Sequence, residues 1–212
     1  MKICYFGDYD KDYPRHVVLL RAFKSFGAEI QEIQVQRSGW KKYIDRCVKI
    51  FTIDKDVDLI FFGYSNSRFV WLLKIFSRKP VVWNAFYSLY DNWVHDRKRA
   101  KEGSFYASFL WFLDWLCCFA SDIIVLETTA DIDYFVRTYG VSRMKFLRVP
   151  VGFDDQIFKP VNNNETSTDK FIVEFHGRYI PVQGVKHIIE AADILRDEKS
   201  IQFILIGNGQ TF

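Results

Sequence analysis

The segment "EFHGRYIPVQGVKHIIEAADIL", Glu174 to Leu195, decides the fold. It opens as the end of an apolar strand, passes a glycine-bearing turn, and continues with apolar residues at helical spacing. Strand, glycine turn and helix are how α/β proteins build a site for a phosphorylated ligand. The glycine lets the backbone approach, and the helix end presents free N–H groups. "KFIVEFHG" on one side and "IQFILIGNG" on the other complete a β-α-β unit. This unit begins only a few dozen residues before Phe212, so the sequence predicts a second α/β half that is started rather than finished.

Working outward, the preceding residues repeat the same alternation. Lys2 to Gly7 is a short apolar run ending in glycine. Pro14 opens a helix whose Leu19, Ala22, Phe23 and Phe26 fall on one face, with Gly27 as its stop. "AEIQEIQV" alternates as a second strand, and a polar helix is expected near Lys41 to Phe51. "VDLIFFG", Val57 to Gly63, is continuously apolar, as a central parallel strand covered on both faces must be. "SRFVWLLKIFS" reads as a helix and "KPVVWNA" as a strand. Next come the strongly apolar helix "SFYASFLWFLDWLCCFA", the strand "SDIIVLE", the helix "ADIDYFVRTYG" and the strand "MKFLRVPVG". This β-α order predicts a parallel, doubly wound sheet. "VNNNETSTD", Val161 to Asp169, has one apolar residue and no periodicity, and reads as a linker. The expected organisation is therefore a Rossmann-like domain over residues 1–160, a linker over 161–169, and the start of a second Rossmann-like domain over 170–212.

Composition narrows the function. In 212 residues, Lys and Arg number 29 against 26 Asp and Glu, a formal net charge of +3. That balance gives no electrostatic case for nucleic acid as a partner. Aromatic residues make up 18%, with 21 Phe, which serves a core, a membrane-facing surface or a sugar-binding one equally well. Cys4, Cys47, Cys117 and Cys118 show no metal-ligand spacing, and reduced thiols in a cytoplasmic protein are expected. The apolar run at the N-terminus is too short for a signal peptide.

Several segments together resemble the family-four retaining glycosyltransferases. "RVPVGFDDQIFKP" is similar to the segment closing that family's first domain, with Val151, Gly152, Asp154, Phe158 and Pro160 at the matching positions. "HGRYIPVQGVKHIIEAADIL" resembles the opening of its nucleotide-sugar-binding domain, and "ILIGNGQ" the strand after it. "YFGDYDKDYPRHVVLLRAFKSFGAEI" looks like the first strand and helix of a bacterial branch that builds surface polysaccharides, and "FASDIIVLETTADIDYF" matches the fifth strand. The resemblance implies a GT-B fold, two Rossmann-like domains with the acceptor mainly on the first and the sugar nucleotide mainly on the second. It implies a nucleotide-sugar donor, a glycan or lipid-linked glycan acceptor, no cofactor and no metal.

The resemblance also suggests site residues. Gly177, Arg178, Gln183 and Gly184 would meet the donor. The Arg178 guanidinium suits a diphosphate because it stays charged and can pair two oxygens. Gln183 stands where many relatives carry a lysine, so it can donate a hydrogen bond but no charge. Lys186 reads as an exposed helix charge. Glu190 and Glu198 have the spacing of the family's paired carboxylates, but their place on or just past the first helix of the second half fits an amphipathic polar face better.

On the acceptor side, open α/β sheets bind ligands at strand carboxyl ends. The loop "WNAFYSLYDNWVHDRKRAKEG" after the fourth strand offers Asn84, Ser88, His95 and Arg97, and Asp8 and Tyr9 follow the first strand. The histidine that many relatives carry after the fourth strand is replaced here by Phe86 and Tyr87, so Asp91 and Asp96 are the candidates for orienting or deprotonating an acceptor hydroxyl. Arg97, Lys98, Arg99 and Lys101 precede the aromatic helix and could hold the protein against the anionic inner face of a cell membrane. That helix is too short to span one, and its Phe/Trp stripe reads as core.

Residues 1–212 alone are expected to show no transferase turnover. The alternatives are a non-catalytic acceptor- or membrane-binding subunit that pairs with a separate donor-domain chain, and an unrelated nucleotide-binding α/β protein such as a sugar-phosphate epimerase.

Overall fold

A computed structural model of the chain describes residues 1–35, 39, 41–63, 69–159 and 169–210, the side chains of residues 42 and 43 excepted. The expected linker at 161–169 and Pro160 lie almost wholly outside the described residues. The chain divides into two compact units, Met1–Lys159 and Pro160–Phe212.

The first unit is built on six strands: β1 (Lys2–Gly7), β2 (Glu29–Gln34), β3 (Leu59–Phe62), β4 (Val81–Asn84), β5 (Ile123–Leu126) and β6 (Phe146–Arg148). They form one sheet in the order β2-β1-β3-β4-β5-β6, every neighbouring pair parallel. Parallel neighbours need crossovers, here supplied by α1 (Pro14–Ser25), α2 (Lys41–Ile50), α3 (Val70–Ser77), the short α4 (Leu89–Asp91), α5 (Phe105–Ala120) and α6 (Thr129–Tyr139). The period-2 geometry of the strands sorts their side chains. Cys4, Phe6, Ile60, Phe62, Trp83, Ile124 and Leu126 pack with residues of α2, α3, α5 and α6. Ile3, Tyr5, Phe61 and Val125 face the other way and pack with Leu19, Leu20 and Phe23 of α1.

Three expectations change within this unit. Phe26 is 91% exposed, because α1 ends at Ser25 and Phe26 is its C-cap before the left-handed Gly27. Leu20 occupies the core instead, together with the polar Arg15 and His16 of the first turn. The last strand stops at Arg148, short of Gly152. One further bond, from the Val149 N–H to the Leu126 carbonyl, precedes Pro150, which has no N–H to give. The aromatic stripe of α5 divides: Trp111 and Trp115 pack against the core, and the phenylalanines lie outside. The helix buries Ala107, Leu110, Asp114, Cys117 and Cys118, and exposes Phe105, Phe109, Phe112 and Phe119.

The second unit is β7 (Phe171–Tyr179), α7 (Val185–Ile194) and β8 (Ile201–Gly209), with the two strands parallel over nine residues. β7 runs on through Gly177 and Arg178 instead of turning there. Gly177 pairs with Gly207 and Tyr179 with Gly209. A Cβ on Gly207 would lie 1.9 Å from the Gly177 carbonyl oxygen, so the glycines permit close strand approach. The turn comes later, in a 3-10 turn at Pro181–Gln183 and at Gly184, whose φ of 64° is left-handed and opens α7.

Candidate functional site

The strand order reverses beside β1, so the carboxyl ends of β1 and β3 flank a topological switch point, where such sheets place ligands. The edge of the sheet there is lined by buried charge. Asp8, directly after β1, is 2.6 Å from the Arg46 guanidinium of α2, which lies 4.7 Å over the Phe69 ring. Arg15, in the first turn of α1, donates through Nη1 to Glu127 Oε1 at 2.5 Å and through Nη2 to Asn84 Oδ1 at 2.7 Å. Its guanidinium stands 5.1 Å over Phe86, the second residue after β4, whose φ of 63° is left-handed and strained for phenylalanine. Burial raises the Glu127 carboxyl, with Arg15 opposing. The Tyr5 hydroxyl and His16 Nδ1 are 2.6 Å apart. Burial, then the Arg15 charge, lowers His16 to about 4, so it is neutral at pH 7. The Tyr9 hydroxyl donates to Glu32 at 3.1 Å.

A second cluster fixes the segment after β4. Asp114, buried on α5, accepts at Oδ2 from the Ser88 hydroxyl at 3.0 Å, the Tyr139 hydroxyl at 3.0 Å and the Tyr90 N–H at 2.9 Å. Ser88 caps α4 by accepting the Asp91 N–H at 2.9 Å. The chain then continues as a π-helical turn, Asn92–Asp96, closed by the Arg97 N–H on the Asn92 carbonyl at 2.8 Å. Such widened turns recur at functional sites.

The expected acceptor-side residues therefore fall into two groups. Tyr9, Asn84 and Ser88 are buried and Asp8 is half-buried, and each is hydrogen-bonded or ion-paired within the fold. Asp91, Asp96 and Arg97 are half-buried and His95 is exposed. Asp96 accepts from the Asn92 amide at 3.3 Å and lies 3.2 Å from Arg97 Nε. Burial holds the Asp91 carboxyl above its ordinary value, with His95 pulling the other way. In the second unit Gly177, Arg178 and Gln183 are exposed, and Lys186 is paired with Glu190 at 3.6 Å.

Arg15, His16, Arg46 and Glu127 were not foreseen from the sequence. The one sequence signal for the first two was a polar pair directly after Pro14, where a helix N-terminus meets the sheet edge. No group of three His, Cys, Asp or Glu among the described residues is arranged to hold a metal ion. A surface cleft of about 450 Å³ in the first unit runs along α1 beside Gly152, Phe153 and Asp155.

A six-stranded parallel Rossmann-like sheet followed by a separate β-α-β unit is a fold of GT-B type. The fold is similar to that of HepE from Anabaena, solved in complex with UDP, at a TM-score of 0.59 and 13% identity, covering 98% of this chain and 69% of that one. UGT89C1 of Arabidopsis thaliana, complexed with UDP-L-rhamnose, overlaps at a TM-score of 0.49 with 11% identity, covering 98% of this chain and 60% of that one. A galactofuranose-binding protein overlaps at 0.35 with 9% identity, covering 100% and 56%. No protein-family model and no curated protein matches the chain.

Proposed function

We propose that the chain carries the acceptor side and the opening of the donor side of a sugar-transferring enzyme. The reaction moves a glycosyl unit from a nucleotide diphosphate sugar to a hydroxyl of a glycan or lipid-linked glycan. It proceeds with retention at the anomeric carbon, in cell-surface polysaccharide synthesis at the cytoplasmic face of the membrane. The observation that carries this reading is the fold likeness, along 98% of the chain, to a protein solved with UDP.

On this reading the leaving diphosphate is met by charge and dipole rather than by a metal ion or cofactor. Arg178 supplies the charge, Gln183 a neutral donor, and Gly184 the bare backbone at the N-terminus of α7. Of the two acceptor-side carboxylates, Asp91 is the better base. Its raised proton affinity strengthens proton abstraction, whereas Asp96 is engaged by Asn92 and Arg97. Asn84, Arg15 and Glu127 hold the strand ends beneath that segment.

Adding UDP to the isotope-labelled chain and following its backbone amides tests the donor assignment. Shifts are expected at residues 177–185, and Arg178→Ala should weaken the response about tenfold, the worth of one charge-assisted hydrogen bond. Amides that stay unmoved at millimolar UDP would remove the donor role from this segment.

A further inference from the structure

The outward face of α5 is mainly aromatic, with Ser108 an exposed polar residue on it. Phe105 is 89% exposed, Phe109 45%, Phe112 46% and Phe119 69%. Trp115 stacks between Phe112 and Phe119 at centroid distances of 5.8 and 5.7 Å, so these three rings form a continuous strip on the C-terminal half of the helix. The helix has one ionisable carboxylate, Asp114, and it is buried on the opposite face by three hydrogen bonds. That anchor fixes the rotation of the helix, so the aromatic strip cannot turn inward without breaking the cluster. Isolated exposed apolar residues need no explanation; a contiguous aromatic row on one helix does.

Charge settles what covers it. Lys98, Arg99 and Lys101 are exposed immediately before α5, with Glu102 the one exposed acid among them. Arg99 lies 5.6 Å over the Trp93 ring, and Trp93 packs on Tyr106 at 5.9 Å, which joins the basic segment to the aromatic strip. At the far end the Lys145 ammonium, 5.8 Å over Phe119, is held by the carbonyls of Cys118, Phe119 and Ser121, so the exposed cations border the strip at its N-terminal end. An uncharged aromatic row bordered by cations complements a bilayer surface, with rings in the acyl boundary and ammonium groups among anionic headgroups. No helix among the described residues is long and apolar enough to cross a membrane, so contact would be peripheral.

We propose that this face of α5, with Lys98, Arg99 and Lys101, docks the protein on an anionic lipid surface. The inference stands independently of the donor assignment, since it uses no residue of the second unit. Vesicle flotation tests it, using phosphatidylcholine with and without phosphatidylglycerol. The chain should float with the anionic vesicles only, and lose that binding as salt is raised. Lys98→Glu combined with Arg99→Glu and Lys101→Glu should reduce binding about hundredfold, and Phe105→Ser with Phe109→Ser about tenfold or more. Phe26→Ser, an equally exposed phenylalanine at the C-cap of α1, should change nothing, and circular dichroism should confirm that every variant folds. The proposal is overturned if the folded chain ignores anionic vesicles, or if the α5 variants bind as well as the parent. Concentration-dependent self-association lost in Phe109→Ser, without vesicle binding, would assign the strip to a second copy of the chain instead.

Discussion

Two buried residues of opposite tendency shape how the fold responds to pH. Burial pushes the Asp114 carboxyl from an ordinary 3.8 up to about 6, against the pull of its hydrogen-bond donors. The folded state therefore holds its proton more tightly than the unfolded chain does. That stabilisation is complete below the ordinary value and lost as pH rises through about 6. His16 runs the other way. Its value falls from 6.5 to about 4, so its stabilisation is complete above 6.5 and lost as pH drops through about 4. At 1.36 kcal/mol per unit, each contributes at most about 3 kcal/mol, and between the two limits they largely cancel. Asp114→Asn keeps one acceptor oxygen for its three donors but removes the titration. Its urea midpoint, followed by circular dichroism, should fall steadily from pH 6.5 to 4, whereas the parent's should stay nearly flat. A parent curve as steep as the variant's would refute the opposition.

Among the elements, the alternation of β1 to β6 with their helices was legible because each periodicity is written locally. Continuous apolar runs marked β3 and β5, and Gly27 and Gly140 marked helix ends. Where β7 ends was not legible. A glycine in a strand reads as a turn until its partner is known, and Gly177 lies opposite Gly207 on a strand begun 30 residues later. Gly207→Ala would put its Cβ against the Gly177 carbonyl, and should cost the second unit about 3 kcal/mol through forced strand separation. Amide spectra should show β7 and β8 released while β1 to β6 are unchanged. Gly140→Ala is the useful contrast. Its Cβ meets nothing within 4 Å, and only the left-handed φ of 65° is penalised, about 1 kcal/mol. Equal losses in the two variants would contradict the close-approach argument.

At the scale of the molecule, the two units differ in how much they bury. The first encloses aromatic and aliphatic side chains on both faces of its sheet. In the second, Tyr179 and Val185 are the buried hydrophobic residues among those described. Local stability follows buried apolar contact, so amides of β7 and β8 should exchange with solvent about a hundredfold or more faster than those of β1, β3 and β4. Comparable protection across both sheets would mean the second unit is stabilised by something other than its own core. The sequence alone determined the α/β class, the parallel sheet and the β-α-β of the second unit, since apolar periodicity and glycine placement are local properties of the chain. Tertiary structure decided which polar residues meet. Arg15 and Glu127 are 112 positions apart, and no local pattern couples them. It also decided which side of α5 faces outward. A helix apolar all round carries no phase in its sequence, and the orientation came from the hydrogen bonds that Ser88, Tyr90 and Tyr139 give to Asp114.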